Sequence, residues 1–318
     1  MQEKQKNNLI ILTGPTAVGM TDLSLRLAKE VGGEIISADS IQVYRHFDIG
    51  SAKIKPEEMQ GIPHHLIDIL EPDEEFNVME FKKRAEAAME KIYANGHIPI
   101  VTGGTGFYIQ ALLYDVCFDE EAEDGYRETL EELGRKNGAK FLHDMLRTVD
   151  AVSAIKIHPN NKQRVIRALE YHHQTGKLFS EHNETESRKE SPYNFAYFVL
   201  TKDRGDLYQN IELRIDRMLE EGLVEEVKQL TDTYRLTAMS NSMQGIGYKE
   251  IYGYLMQEYS YEDAVSILKR DTRHFAKRQL TWFRREKEVI WLDKDTLTTD
   301  ELLMQEIMRH LSDKQIVI

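Results

Sequence analysis

Cysteine is almost absent from this chain, since Cys117 is its only copy in 318 residues. A single cysteine excludes an intrachain disulfide framework and a zinc site built from a cysteine cluster. Long apolar runs are absent too, because no stretch reaches the roughly 18 residues that a membrane helix needs. Residues 1–8 are polar and lack the apolar core of a signal peptide. We therefore expect a cytoplasmic protein with no membrane contact.

Positive charge is also scarce, because 41 lysines and arginines stand against 54 acidic residues and leave a net charge of −13. This balance argues against a protein that holds nucleic acid through its global charge, although a local basic stripe could still exist. The rest of the composition is ordinary for a globular protein, with 41% hydrophobic and 30% charged residues. A chain of this length can bury a large core and contain more than one structural unit.

A glycine-bounded loop follows the first apolar run of the chain. Residues 9–12 predict a strand, and apolar residues at helical spacing from Leu23 onward predict a helix. This setting is typical of a loop that binds phosphate through successive backbone N–H groups. The loop consists of Gly14, Pro15, Thr16, Ala17, Val18, Gly19, Met20 and Thr21. We expect the Thr21 hydroxyl to contribute to binding a phosphate-associated Mg²⁺ ion.

Met20 departs from the usual pattern of such a loop, which has lysine just before the Ser/Thr position. A charge-assisted hydrogen bond contributes about 1.5–3 kcal/mol, so its loss would weaken phosphate binding by about one to two powers of ten. Backbone donors, Mg²⁺ and other basic side chains would remain. The alternative is an ordinary turn at a strand–helix junction, but the strand, both glycines and Thr21 occupy the expected positions.

A carboxylate ends the second predicted strand, where residues 34–38 are followed by Asp39. Ligands of open α/β sheets bind beyond the carboxyl ends of the strands, so we expect Asp39 and the glycine loop to share a crevice. The carboxylate suits a general base, and an aspartate that only caps a turn is an equal alternative. The strand at residues 98–102 leads into a second glycine turn and Thr105, without the Mg²⁺-binding aspartate common in P-loop NTPases.

Residues 117–190 are helical in pattern and poor in strand signals. We therefore predict an α/β fold in which a P-loop-type parallel sheet, flanked by helices, forms a core from residues 1–116 and 191–318. Residues 117–190 form an all-helical insertion domain. Arg164 and Arg167 share one helix face within it. They are candidates for a ligand contact, and a solvated, salt-bridged face is the alternative.

Two helices of the C-terminal part carry further candidate cations. In the predicted helix 207–221, which Asp206 would cap, Arg214 lies beside the apolar stripe and can reach a cleft, whereas Arg217 falls on the far side. In the predicted helix 262–286, four cations lie opposite the apolar face and suggest a contact with a phosphate backbone, with a solvated face as the alternative. They are Arg270, Arg273, Lys277 and Arg284.

Taken in order, these segments resemble the tRNA dimethylallyltransferases, also called isopentenyl-diphosphate:tRNA transferases. The likeness extends from about Leu9 to Trp291. Each segment alone is a modest signal, but the full series in this order is highly specific. The segments are 14–19, 39–45, 49–53, 63–68, 103–106, 163–170, 245–250 and 276–284.

The resemblance implies that a dimethylallyl group moves from dimethylallyl diphosphate to N6 of the adenosine just 3′ of the tRNA anticodon, with release of diphosphate. Loop 14–21 would hold the diphosphate, with Mg²⁺ at Thr21, Asp39 as general base and Arg214 assisting the diphosphate. The helical insertion would clasp the anticodon stem-loop. We expect a monomer. The residues that the resemblance places against tRNA are Asp39, Ser40, Ile41, Gln42, Thr105, Arg127, Gln163, Arg164 and Arg167.

Met20 is also where the chain departs from the family pattern, which has lysine there. Two alternatives to an active transferase follow. One is a P-loop small-molecule kinase with Asp39 as base for a hydroxyl acceptor, although a kinase depends more strongly on the missing lysine. The other is a catalytically impaired homologue that binds tRNA and forms no product.

Overall fold

The structure, a computed structural model, describes residues 6–116 and 124–317. Cys117 and the predicted start of the insertion at residue 117 lie outside the described residues. The chain divides into two compact units, one of Met1–Leu113 with Pro192–Ile318 and one of Tyr114–Ser191. Among the described residues, no helix combines the length and the apolar composition that crossing a membrane requires.

A parallel β-sheet forms the centre of the first unit. Its strands are β1 (Asn8–Thr13), β2 (Gly33–Ser37), β3 (His64–His65), β4 (Ile98–Gly103), β5 (Asn194–Thr201) and β6 (Val289–Asp293). They lie in the order β3-β2-β4-β1-β5-β6, and every pair is parallel. Strands β1, β2 and β5 are almost continuously buried, as expected where helices cover both faces of a parallel sheet.

Thirteen α-helices are present among the described residues, and five of them, α4 to α8, belong to the second unit. The first three and the last five flank the sheet unit, which confirms the predicted α/β fold. The helices are α1 (Met20–Val31), α2 (Val78–Ala94), α3 (Gly106–Leu113), α4 (Tyr126–Asn137), α5 (Ala139–Val149), α6 (Ala151–Lys156), α7 (Lys162–Thr175), α8 (Phe179–Ser187), α9 (Arg204–Glu220), α10 (Leu223–Tyr234), α11 (Tyr248–Leu255), α12 (Tyr261–Phe283) and α13 (Asp300–Asp313).

The helical unit has an apolar core of its own. Leu130 of α4, Leu142 and Leu146 of α5 and Val165 of α7 are fully buried against one another. Leu142 and Leu146 are four residues apart in α5, which is the spacing that predicts one apolar face of an amphipathic helix. The unit therefore does not depend on strand pairing for its packing.

The register of the sheet places three strand ends next to each other. Ile11 of β1 and Ile36 of β2 both pair with Val101, because β4 lies between these two strands. Since the strands are parallel, the segments that follow β1, β2 and β4 all leave from one edge of the sheet. In an open α/β sheet this edge is where ligands bind.

Helix α9 begins earlier than its sequence pattern predicts. Oδ1 of Asp203 accepts hydrogen bonds from the backbone N–H groups of Gly205 at 2.7 Å and Asp206 at 3.2 Å. Asp203 is therefore the N-cap, and the prediction that Asp206 caps this helix was wrong. Both residues are aspartates, so composition alone could not choose between them.

Candidate active site

The loop between β1 and α1 has a conformation that is suited to an anion. Ala17 and Gly19 have φ values of 65° and 89°, so two residues of the loop are left-handed and the peptide groups between them change direction. Helix α1 begins at Met20. In the part of the chain that the structure describes, the N–H groups of Ala17 and Gly19 have no acceptor. Free N–H groups beside a helix N-terminus form an anion-binding concavity.

The start of this loop has no room for a side chain. A Cβ on Gly14 would come within 2.9 Å of Cγ1 of Val18 and 3.0 Å of the carbonyl oxygen of Leu200 at the end of β5. The loop is therefore held close against the neighbouring strand. This close approach explains why glycine follows β1.

Asp39 lies just beyond the end of β2 and is fixed by its own backbone. Its Oδ1 accepts hydrogen bonds from the N–H groups of Ile41 at 2.8 Å and Gln42 at 3.1 Å, whereas Oδ2 has no hydrogen-bond partner among the described residues. Burial raises the pKa of the Asp39 carboxyl above its usual value, and the two N–H donors and the charges of Arg214 and Lys53 offset part of this effect. The carboxylate is thus a stronger base than an exposed aspartate.

The glycine loop and Asp39 line one cleft of about 1080 Å³. Met20 and Thr21 at the start of α1 also line it, as does Arg214 of α9. The glycine loop and Asp39 therefore lie at the same cleft, as the parallel sheet predicted. Apolar side chains complete the walls, among them Leu213, Met218 and Phe275.

Arg214 brings a positive charge into this cleft without a carboxylate partner. Its Nη1 lies 3.5 Å from Oγ1 of Thr16, at the outer limit of a hydrogen bond, and no ion pair to it exists among the described residues. Burial lowers the pKa of the Arg214 guanidinium, and the nearby charge of Asp39 partly restores it. An arginine stays protonated in a protein, so this charge is available to an anionic ligand.

Arg217 also lines the cleft, so the prediction that it faces the far side of α9 was wrong. Three residues advance an α-helix by about 300°, which leaves Arg217 only about 60° from Arg214. Its side chain is long, and the cleft is wide enough to include both arginines.

Gln279 of α12 joins the two glycine turns, and sequence patterns did not identify it as a site residue. Its Oε1 accepts from the N–H of Thr16 at 2.9 Å, and its Nε2 donates to the carbonyl oxygen of Gly104 at 3.0 Å. A Cβ on Gly104 would lie 2.0 Å from Nε2, so this contact requires glycine. The one sequence feature that could have identified Gln279 is its position as a polar residue within the apolar face of α12. The Gln279 side chain is buried, with 5% exposure.

Lys53 is a second residue that the sequence reasoning missed. Its ammonium group is buried and lies 2.7 Å from Oδ1 of Asp48 and 2.5 Å from Oδ1 of Asp68. Lys53 lines the cleft, and its positive charge lowers the pKa of the Asp39 carboxyl, against the larger effect of burial. The apolar residues around Lys53 follow neither the helical nor the strand spacing, so the pattern does not indicate that this lysine is buried.

The residues that follow Asp39 are largely engaged within the chain. The side chain of Gln42 accepts from Oγ of Ser37 at 3.0 Å and donates to the carbonyl oxygen of Ser51 at 3.2 Å. Ser40 and Ile41 are half-buried, as is Thr105, which precedes α3. The predicted contacts of Ser40, Ile41, Gln42 and Thr105 with tRNA stay predictions.

Of the predicted tRNA contacts of the helical unit, two arginines are paired with a carboxylate, and two side chains have no partner among the described residues. Arg127 binds the buried Glu170 through Nε at 3.0 Å and Nη2 at 2.7 Å, and Nη1 of Arg167 lies 3.5 Å from the same carboxylate. Burial alone would raise the pKa of Glu170, but these two arginines lower it overall. Gln163 and Arg164 are exposed at the start of α7.

The four predicted cations, three in α12 and Arg284 at its C-cap, do not form one uncompensated stripe. Arg273 lies 2.7 Å from Oε1 of Glu212 of α9, and Arg270 lies 2.8 Å from Oδ1 of Asp271. Lys277 and Arg284 are exposed and have no side-chain partner among the described residues. Two of the four cations are therefore charge-compensated, Arg273 by a carboxylate of α9 and Arg270 by its neighbour in α12. The predicted contact of these four cations with a phosphate backbone stays a prediction.

Comparison with known proteins identifies the family. A family model described as IPP transferase matches residues 42–286, which is most of the chain. This chain belongs to that family. The resemblance to the tRNA dimethylallyltransferases is thereby confirmed. A tRNA dimethylallyltransferase from Lachnoclostridium phytofermentans is 57% identical over 311 residues, which cover 97% of this chain and 99% of that protein.

Solved structures of IPP transferases match this fold over nearly its whole length. The tRNA isopentenylpyrophosphate transferase of Bacillus halodurans is 43% identical, with a TM-score of 0.73 and coverage of 97% of both chains. A eukaryotic dimethylallyltransferase, described as acting on tRNA, is 29% identical, with a TM-score of 0.81. This match covers 98% of this chain and 79% of that one.

Replacing Gln279 with leucine tests the link between the two glycine turns. Gln279→Leu leaves the N–H of Thr16 and the carbonyl of Gly104 without their partner, which costs about 1–3 kcal/mol of unfolding free energy. We also expect the affinity for inorganic pyrophosphate to fall several-fold, because the loop loses its support. Urea unfolding and titration calorimetry measure the two effects.

His274→Gln is the matched control for this change, because His274 is an exposed side chain of the same helix. It should leave both quantities unchanged. Unaltered pyrophosphate affinity in Gln279→Leu would contradict a role for Gln279 in shaping the loop.

Proposed function

We propose that this chain transfers the dimethylallyl group of dimethylallyl diphosphate to N6 of the adenosine just 3′ of the anticodon in tRNA, releasing diphosphate. The observation that carries the proposal is the shared cleft, in which a phosphate-type loop and the half-buried Asp39 meet in a member of the IPP transferase family. One wall suits a leaving diphosphate, and the other suits an incoming amine.

The leaving diphosphate is the first problem that such a site must solve. When the bond between the allylic carbon and the diphosphate oxygen breaks, negative charge accumulates on the diphosphate. Three groups that have no acceptor or carboxylate partner among the described residues would meet this charge, namely the N–H groups of Ala17 and Gly19 and the guanidinium of Arg214. Dipoles and charges that are oriented before the reaction stabilise such a transition state most effectively.

The adenine amine is the second problem, because its lone pair is delocalised into the ring and it is a poor nucleophile. An allylic carbon that develops positive charge lowers the demand on that nucleophile. As the bond from N6 to carbon forms, N6 loses a proton, and the free Oδ2 of Asp39 is the acceptor that we assign to it. The raised pKa of Asp39 favours this proton transfer.

The target adenine must leave its stack to reach a cleft of this kind. Sequence-specific recognition of RNA mostly concerns loops whose bases can be splayed out. We propose that the helical unit holds the anticodon stem-loop, with Gln163 and Arg164 as its exposed contacts and Arg127 and Arg167 oriented by Glu170. Lys277 of α12 and Arg284, which caps its C-terminus, are exposed, have no side-chain partner among the described residues, and are further candidates to contact the RNA backbone.

The donor set of the cleft fits a Mg²⁺ ion that arrives with the diphosphate. Among the described residues, no group of three histidine, cysteine, aspartate or glutamate side chains could hold a metal by itself. The exposed Thr21 hydroxyl and the Asp22 carboxylate line the cleft, and Mg²⁺ in proteins commonly binds one or two side chains together with substrate phosphates and water. We propose Thr21 as its protein ligand. Bound Mg²⁺ would neutralise charge on the leaving diphosphate.

A small-molecule kinase is the less well supported function for the same cleft. A transferring phosphoryl group develops charge where the loop lysine normally acts, and Met20 occupies that position. We further propose that the chain acts in the cytoplasm, where it would meet its tRNA substrate. We also propose that it acts as a monomer, since residues of one unit of one chain are enough to line the cleft.

Transfer of a labelled prenyl group tests the proposal directly. Incubation of the protein with Mg²⁺, tRNA and dimethylallyl diphosphate labelled in its dimethylallyl group should move the label into RNA. A tRNA with guanosine in place of the target adenosine is the matched control, because it lacks the N6 amine. Binding of tRNA without transfer would identify an impaired homologue, and consumption of ATP with a hydroxyl acceptor would identify a kinase.

Asp39→Asn should lower the transfer rate by about 10²–10⁴, the usual contribution of a general base, while tRNA binding is retained. The carboxylate must be deprotonated to act, so the wild-type rate falls as the pH decreases through its pKa. Because burial raises that pKa, the fall begins at higher pH than an ordinary aspartate would give. This decrease of the rate at low pH, the acidic limb of the pH–rate profile, should be absent in Asp39→Asn.

Single-turnover rates across pH measure both effects of this substitution. Glu57→Gln, a carboxylate that also lines the cleft, is the control and should keep the acidic limb. Unchanged turnover in Asp39→Asn would exclude Asp39 as the base.

Met20→Lys should increase diphosphate affinity or transfer rate by about tenfold to a hundredfold, because it adds a charge-assisted hydrogen bond at the loop. The measurements are pyrophosphate binding and the KM for dimethylallyl diphosphate. Met239→Lys adds the same charge at a methionine that is 89% exposed, and it should have no effect. If Met20→Lys increases neither the affinity nor the rate, a side-chain cation at position 20 contributes little to diphosphate binding in this loop.

A further inference from the structure

Lys294 reaches the phosphate-type loop from the end of β6. Its backbone N–H donates to the carbonyl oxygen of Thr201 at 3.0 Å, which continues the pairing of β5 and β6 by one residue. Its Nζ donates to the carbonyl oxygen of Val18 at 3.2 Å. A Cβ on Gly19 would lie 2.9 Å from the same Nζ. The ammonium group therefore lies against the loop backbone at the junction with α1.

The charge of Lys294 is not neutralised by an acidic side chain. In residues 6–116 and 124–317, no carboxylate lies within ion-pair distance of Nζ, and the carbonyl of Val18 is its hydrogen-bond partner. Lys202, which follows the end of β5, provides a contrast because its Nζ lies 3.4 Å from Oδ2 of Asp206. Of these two lysines beyond adjacent strand ends, only the one on the loop is free of a counter-charge.

We propose that Lys294 supplies the diphosphate loop with the positive charge that Met20 does not provide. The inference rests on the proposed function, because it requires that this loop hold the diphosphate. Lys294 does not line the cleft, so it is a positioning residue that acts through the loop.

The route of this action is the peptide group that joins Val18 to Gly19. The carbonyl of this peptide accepts from Nζ of Lys294, and its N–H at Gly19 is free. A hydrogen bond to the carbonyl oxygen of a peptide polarises the group and makes its N–H a stronger donor. In addition, a charge this close to a partly buried anion is screened much less than charges in open solvent. Both effects favour an anion at the loop.

Lys294→Met removes the charge at similar length. We expect the affinity for inorganic pyrophosphate, measured by titration calorimetry with Mg²⁺ on the full chain, to fall about tenfold. The KM for dimethylallyl diphosphate should rise accordingly. Lys294→Arg should stay within about threefold of wild type because it keeps the charge. Lys202→Met is the matched control and should bind pyrophosphate as the wild type does.

Repeating the Lys294→Met substitution in the Met20→Lys variant distinguishes electrostatic compensation by Lys294 from structural support of the loop. In Met20→Lys the loop has its own cation, so Lys294→Met should cost clearly less affinity there than in the wild type. Equal losses in both backgrounds, or a loss that Lys294→Arg does not restore, would overturn the proposal and indicate a structural contact. Thermal unfolding without pyrophosphate reports that structural part separately.

The outcomes also separate this inference from the function on which it rests. If the wild type binds pyrophosphate and Lys294→Met binds it equally well, the role of Lys294 is refuted and the loop assignment stands. If the wild type itself binds no pyrophosphate, both are refuted.

Discussion

Hydrogen bonds between the end of β2 and the end of β4 hold the cleft in place. The N–H of Ala38 donates to the carbonyl of Thr102 at 2.7 Å, and the N–H of Thr105 donates back to the carbonyl of Ala38 at 3.2 Å. Gly103 and Gly104 lie between Thr102 and Thr105, and a Cβ on Gly103 would lie 2.4 Å from the oxygen of Ala38. Asp39 follows directly, so its position is set by backbone contacts that no other residue type at 103 would allow. Gln279 extends the same network to the loop after β1.

Charge is distributed in this protein according to the same geometry. The chain as a whole is acidic, with a net charge of −13, and some of its cations are matched by carboxylates, as Lys53 in the cleft and Arg273 of α12 are. Arg214 and Lys294 lack such partners among the described residues. An unpaired charge in a partly buried site is costly to the isolated protein, and an anionic ligand offsets that cost when it binds. The placement of these two cations is therefore better explained by a ligand than by stability.

Part of this arrangement could be predicted from sequence because it depends on backbone rules. Parallel strands end at one edge, so a glycine loop after β1 and an aspartate after β2 had to lie close together. The apolar spacing of α9 likewise indicated that Arg214 could reach the cleft. Gln279, Lys53 and the pairing of Arg273 with Glu212 could not be predicted in this way. Each depends on a partner more than ten residues away in the chain, or on burial of a polar group within a segment whose pattern gives no sign of it.

The exchange of lysine for methionine in the loop is easier to reconcile with prenyl transfer than with phosphoryl transfer. In phosphoryl transfer the charge develops on the group being moved, and the loop lysine contacts that group. In prenyl transfer the diphosphate is a leaving group whose charge can be shared by any donors that surround it. Backbone N–H groups supply such donors whatever side chain follows Gly19, because their direction is set by the left-handed residues of the loop. A loop that relies on its backbone can therefore lose one side-chain cation and keep its binding geometry, provided that other charges stand close by.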